Sequence, residues 1–252
     1  MLRVIITGAS SGIGEALARH YAKQGAALGL ISRRERALTQ LAAQLPAPVL
    51  TYPADVRDAA ALQSAAADFI ARQGCPDIVI ANAGISTGTL TECAEDTPAF
   101  QEVIDTNVLG MVKTFQPFVA AMRATGRGSL VGIASVAGYR GLPGASAYCA
   151  SKAAAISYLE SLRVELRSCG VRVITVCPGY IATPMTAKNP YPMPFLLSAD
   201  ATAKKIAVLI ERGRTFAVIP WQIAFATRVL RVLPNWLFDR LLDNAPHKPR
   251  RA

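Results

Sequence analysis

A doubly wound α/β sandwich, with a parallel sheet of about seven strands between two helical layers, is the fold class this 252-residue chain predicts. Three observations predict it. Short apolar runs alternate with longer helical patterns along residues 3–220. The runs are near-continuously apolar, as strands buried on both faces of a parallel sheet must be. A glycine-rich turn joins the first run to the first helical pattern. The length suits one domain over 1–252. At 52% hydrophobic and 17% charged residues, disorder is excluded.

Each element has its own signal. Residues 3–7 read as a buried strand and 13–23 as a helix. A second strand at 27–32 precedes a charged amphipathic helix near 34–44. The third strand, 49–52, precedes a helix near 58–72, and the fourth is 77–81. One long helix is expected near 98–125, where Pro117 demands a kink or local adjustment. The fifth strand is 129–134. Residues 148–168 carry apolar residues at helical spacing, and the strand at 171–177 stops at Pro178-Gly179. A helix at 201–212 and a seventh strand at 215–219 complete the rhythm. Residues 185–197 contain Pro190, Pro192 and Pro194, which excludes regular helix. Residues 221–243 form two short helices divided by Pro234. Beyond them, residues 246–251 are basic, Pro-rich and expected to be mobile. Together, 221–252 form a C-terminal helical extension with a basic tail.

The net charge of +10 is uneven: residues 204–252 carry ten basic and three acidic residues, and so +7 of it. No nucleic-acid-reading motif or aromatic platform accompanies this charge, which excludes a nucleic-acid partner. Five cysteines, with no C-x-x-C spacing, read as free thiols in a reducing compartment. His20 and His247 are far apart and no ligand cluster exists, so no metal is expected. No signal-peptide pattern follows Met1 and no apolar span of ~18 residues appears, so a cytoplasmic protein is expected.

Thr7-Gly8-Ala9-Ser10-Ser11-Gly12-Ile13-Gly14 carries the first chemical signal. Glycines let the backbone turn sharply and approach a pyrophosphate, and the helix start offers free N–H donors with a partial positive charge. The lysine of a phosphate-binding Walker loop is missing. The arrangement is Rossmann-type. Its spacing, with Asn82-Ala83-Gly84, Asn107, Ser135, Tyr148-Cys149-Ala150-Ser151-Lys152 and Pro178-Gly179 following in order, resembles the short-chain dehydrogenase/reductase family over about residues 3–220.

Ser32-Arg33-Arg34 ends the second strand. A site that prefers NAD places an acid there for the ribose 2′-hydroxyl. Two guanidiniums instead suit the 2′-phosphate of NADP, so NADP(H) is expected, with Arg33 the main contact and Arg34 beside it. The competing reading makes both arginines solvated residues of a helix start. By resemblance, Asp55 and Val56 contact the adenine. The resemblance also implies a cofactor site of Gly8, Ser10, Ser11, Gly12, Ile13, Gly14, Asn82, Ala83, Gly84, Pro178 and Gly179. Ile181 and Thr183 match contacts to the nicotinamide carboxamide.

Tyr148 and Lys152 are four residues apart on a helix and share a face. A phenol with a pKa of about 10 is a poor base at neutral pH, and a neighbouring ammonium stabilises the phenolate. In the resembled family Tyr148 is the general acid or base and Ser135 bonds the substrate oxygen. Lys152 also binds the nicotinamide ribose, and Asn107 holds a water. This implies hydride transfer between a ketone and a secondary alcohol. By resemblance, residues 185–200 are a variable substrate lid, in which Met185, Tyr191, Met193, Phe195, Leu196 and Leu197 suggest an apolar wall and a hydrophobic small-molecule substrate, with Tyr139, Arg140 and Leu142 on the other wall. Two alternatives stand: a ketoacyl-thioester reductase, and a non-catalytic dinucleotide-binding regulator. The 221–252 extension covers the pocket, builds a subunit interface or rests on a membrane surface through Arg228, Arg231 and Arg240. A homodimer or homotetramer follows by resemblance.

Overall fold

The computed structural model describes residues 1–250. Its main sheet is built from β1 (Arg3–Thr7), β2 (Ala27–Ser32), β3 (Val49–Pro53), β4 (Ile78–Ala81), β5 (Gly128–Ile133) and β6 (Val171–Pro178). A two-residue ladder pairs β7 (Ile181–Ala182) with β8 (Leu197–Ser198), and β9 (Phe216–Ile219) closes the sheet edge. The order is β3-β2-β1-β4-β5-β6-β9, all parallel. It reverses direction between β1 and β4, and the carboxyl ends there open the crevice where α/β sheets bind ligands.

Side chains of one strand enter opposite layers, because successive residues point to opposite faces. Val4 and Ile6 pack beneath α1 (Gly12–Lys23), α2 (Glu35–Ala43) and the later α7 (Ala199–Glu211). Ile5 packs on the other face, with Phe69 of α3 (Ala59–Gln73), Phe115 of α5 (Gly110–Thr125) and Leu159 of α6 (Ser146–Glu165).

The expected helix at 98–125 is two helices. α4 (Thr97–Ile104) and α5 are joined by a π-helical turn, Asp105–Leu109. Such turns insert an extra residue and re-aim side chains; this one carries the fully buried Asn107. The helix runs through Pro117 without a break. α8 (Trp221–Val232) and α9 (Asn235–Leu242) separate at Pro234 as the sequence predicts. No described helix is long and apolar enough to cross a membrane.

The expectation of a mobile tail is corrected over 246–250. Arg250 pairs with Glu95 and Asp96, both at 2.8 Å, and those two ion pairs hold a terminus that would otherwise fray. Arg251 and Ala252, the end of the predicted basic tail, lie outside the described residues.

Candidate active site

The glycine-rich turn is fixed from behind by β4. Asn82 donates from Nδ2 to the carbonyls of Thr7 (3.1 Å) and Gly8 (3.3 Å). The Thr7 hydroxyl accepts from the N–H groups of Asn82 and Ala83 at 3.1 and 3.2 Å. Gly14 lies behind the turn. A Cβ there would collide with the Gly8 carbonyl oxygen and come within 2.6 Å of Asn82 Nδ2. Gly14→Ala is therefore expected to destabilise the fold by about 1–3 kcal/mol, read as a lower Tm in thermal unfolding. An unchanged Tm would contradict this packing.

A cleft of about 570 Å³ runs along the carboxyl ends of the sheet. Its volume lies in the range of cofactor sites. Gly8, Ser10, Ser11, Gly12 and Ile13 line one wall. Ser11 gives α1 no side-chain cap, so the first-turn N–H groups remain open to an anion. Asn82, Ala83 and Gly84 form the floor beside Ser135, Tyr148 and Lys152, while Pro178, Gly179, Ile181 and Thr183 close the far wall.

At the other end stand Arg33, Arg34, Asp55 and Val56. Arg34 donates to Ser10 Oγ at 2.9 Å and Ser11 Oγ at 2.6 Å, and Ser10 meets Ser32 at 2.6 Å. Arg33 lies 3.7 Å from Asp55. The Asp55 carboxyl is held below its usual range chiefly by the side-chain hydrogen bond from Arg57, at 2.7 Å. Arg33 thus shares an acid with Arg57, whereas Arg34 rests only on hydroxyls. The two arginines are not alike, a difference that their adjacency in sequence hides.

Ser135 lies two residues beyond β5 and caps a short 3-10 turn, accepting from the Ala137 N–H at 3.2 Å. The phenol of Tyr148 lies within the influence of that hydroxyl. Burial pushes the phenol up to about 12 and outweighs the opposing effect of Ser135. Lys152 is buried one turn along α6 and donates to the Ile133 carbonyl at 2.8 Å. Burial lowers its ammonium to about 8.

Asn107 does not line the cleft. It bonds both backbone groups of Ile85, at 2.8 and 2.9 Å, and donates to Ser151 Oγ at 2.9 Å. It buttresses the loop after β4 against α6.

Sequence reasoning missed several neighbours. Thr106, Thr186 and Lys188 also line the cleft. Cys177 is buried beneath the site, and burial pushes its thiol up to about 12 against the opposing charge of Lys152. Its position at the end of an apolar strand was the available signal. Arg140 lines a pocket wall with Tyr139 and Leu142, as expected, one shared with Phe238 and Leu242 of α9, and it also caps the extension. It donates to the carbonyls of Leu230 and Leu233, both at 3.0 Å, and stacks 4.0 Å over Phe238. Free carbonyls at a helix end attract a cation.

Comparison with known proteins follows this geometry. An uncharacterized oxidoreductase of Myxococcus xanthus is 40% identical over 238 residues, 93% of this chain and 94% of that protein. An alcohol dehydrogenase from Thermococcus sibiricus, solved with 5-hydroxy-NADP, superposes with a TM-score of 0.76 at 28% identity, over 87% of this chain and 96% of that one. A 3-ketoacyl-(acyl-carrier-protein) reductase from Brucella melitensis, solved with NADH, gives 0.78 at 26% identity, over 86% and 94%. The short chain dehydrogenase family model matches residues 3–192. With the motifs in their expected places on a seven-stranded parallel sheet, the chain belongs to the short-chain dehydrogenase family of oxidoreductases.

Proposed function

We propose that this oxidoreductase uses NADP(H) to interconvert a hydrophobic ketone and a secondary alcohol. One observation carries the reading: a single cleft holds Ser135, Tyr148 and Lys152 at one end and Arg33 and Arg34 at the other. The nicotinamide supplies the hydride when bound. The chain supplies position and the proton. With its phenol near 12, Tyr148 is protonated at neutral pH and able to donate to a carbonyl oxygen, which the Ser135 hydroxyl also orients. Lys152 favours the phenolate left behind. Arg34, with Ser10 and Ser11, forms the 2′-phosphate seat, and Arg33 flanks it. The lid supports an apolar substrate: Tyr191 stacks edge-on with Tyr180 at 6.4 Å, and Met185 lines the cleft.

α8 and α9 leave Trp221 (75% exposed), Phe225 (69%), Val232 (78%) and Trp236 (69%) on the surface. This face suits a second subunit, and with Arg228 and Arg231 beside it the alternative cover is an anionic membrane surface. The five free cysteines fit a reducing, cytoplasmic setting.

An NADPH-oxidation screen over hydrophobic ketones, quinones, sterols and ketoacyl thioesters tests the reading. Turnover of apolar ketones is expected. Reduction of small polar ketones alone would overturn the substrate class, and of an acetoacetyl thioester alone would favour the carrier-bound alternative. NADPH binding without turnover would favour a regulator. The reductive rate is also expected to fall as pH rises through about 8. Burial depresses the Lys152 pKa to that value, so its charge is full well below it and lost above it.

A further inference from the structure

After α9 the chain turns back towards the catalytic helix as a strap. The carbonyl of Pro249 accepts the Gly88 N–H at 2.9 Å. A Cβ on Gly88 would collide with the Lys248 carbonyl and lie 2.8 Å from that of Pro249, so only glycine admits the strap here. His247 packs on Gly144. Arg250 fastens the end, donating from Nε to Asp96 and from Nη2 to Glu95, both at 2.8 Å. Asp96 is buried and also accepts the Leu90 N–H at 2.8 Å, so the anchor is itself fixed. The strap thereby lies along the seam where Thr89 Oγ1 meets Ser146 Oγ of α6, at 2.9 Å.

Between these anchors Lys248 stands with its ammonium 5.4 Å from the centroid of the Tyr148 ring; that of Lys152 is 5.7 Å away. The two cations differ. Lys152 donates to a backbone carbonyl. Lys248 has no hydrogen bond and no carboxylate within ion-pair reach among the described residues. It is half-buried. The acidic group beside it is the thiol of Cys149, whose ionisation burial opposes. A desolvated cation without a counter-ion is costly, and this one is held beside the reacting phenol by four residues of anchored chain.

We propose that Lys248 is a specificity-determining residue whose ammonium pairs with a carboxylate carried by an otherwise apolar ketone. The inference rests on Tyr148 being the proton donor to that ketone. An ammonium is a compact charge with three rotatable donors, so it accepts the carboxylate in several poses while Tyr148 fixes the carbonyl.

The test compares benzoylpropionate with its methyl ester as substrates of the NADPH-loaded full chain. In Lys248→Met, kcat/KM for the acid is expected to fall about 10- to 100-fold, mainly through KM, with the ester little changed. Lys248→Arg should restore most of the loss, and Arg250→Ala, which frees the strap, should reproduce part of it. An acid-to-ester ratio equal in wild type and Lys248→Met overturns the proposal, as does a variant that gains on both substrates. A second readout needs no turnover: calorimetric binding of phenylbutyrate against phenylbutyramide. Wild type should prefer the carboxylate and Lys248→Met should not. If no ketone is reduced yet this preference depends on Lys248, the proposed ketone reduction fails and the carboxylate site stands. Equal preference in both proteins removes the site.

Discussion

Tyr148→Phe is expected to lower reductive turnover by about 10²- to 10⁴-fold with the fold and NADPH affinity nearly intact. The substitution removes one oxygen and keeps the ring that packs in α6. That oxygen is the phenol beside Ser135, and its proton is firmly held because burial disfavours the phenolate. The two groups beside it in the cleft do not substitute for it. Lys152 directs its ammonium to the Ile133 carbonyl, and the Ser135 hydroxyl is far less acidic than a phenol. Stopped-flow NADPH oxidation gives the rate, and titration calorimetry gives the cofactor affinity. Near-normal turnover would remove Tyr148 from the proton path.

The second large effect is on the cofactor. The double variant Arg33→Asp with Arg34→Ala should shift preference from NADPH towards NADH by about 10- to 100-fold. Two changes are needed because the arginines do different work. Removing Arg34 deletes the guanidinium lying against Ser10 and Ser11. Placing an acid at position 33 adds repulsion against a 2′-phosphate and an acceptor for a ribose hydroxyl. Arg33 is about half exposed and shares Asp55 with Arg57, so water screens its charge. Arg34→Ala alone is therefore expected to cost more NADPH affinity than Arg33→Ala alone. The ratio of kcat/KM for the two cofactors reads the shift. A preference unmoved in the double variant would place the selectivity elsewhere.

The central strands were legible because burial on both faces leaves continuous apolar runs, as in Ile5–Ile6 and Leu28–Leu30, both buried throughout. The site was legible where chemistry and position coincide: Gly8, Ser135, Tyr148 and Lys152 all lie where a strand ends or on the helix that follows. Three features were not. The π turn at Asn107 has no periodicity signal, because one inserted residue leaves the apolar stripe on either side readable as one helix. The capping role of Arg140 was hidden, because the carbonyls it caps lie some ninety residues later. The strap at 246–250 looks like any basic terminus, since what holds it is a pair of acids, Glu95 and Asp96, remote in sequence.

The two-residue ladder between β7 and β8 has a wider consequence. Ile181 pairs with Leu197 and Ala182 with Ser198, so the lid leaves the body and returns to it at one neck. The first part of the lid, through Lys188, lines the cofactor cleft. Residues 189–196 hang beyond it, and the cost of closing such a loop grows slowly with its length. Once the neck fixes the ends, this stretch is an exchangeable cassette. On the proposed reading of this stretch as the substrate lid, a change in its length or composition is expected to leave the register of the main sheet and the dinucleotide seat undisturbed, so a lineage could retarget the enzyme to new molecules while inheriting its chemistry unchanged.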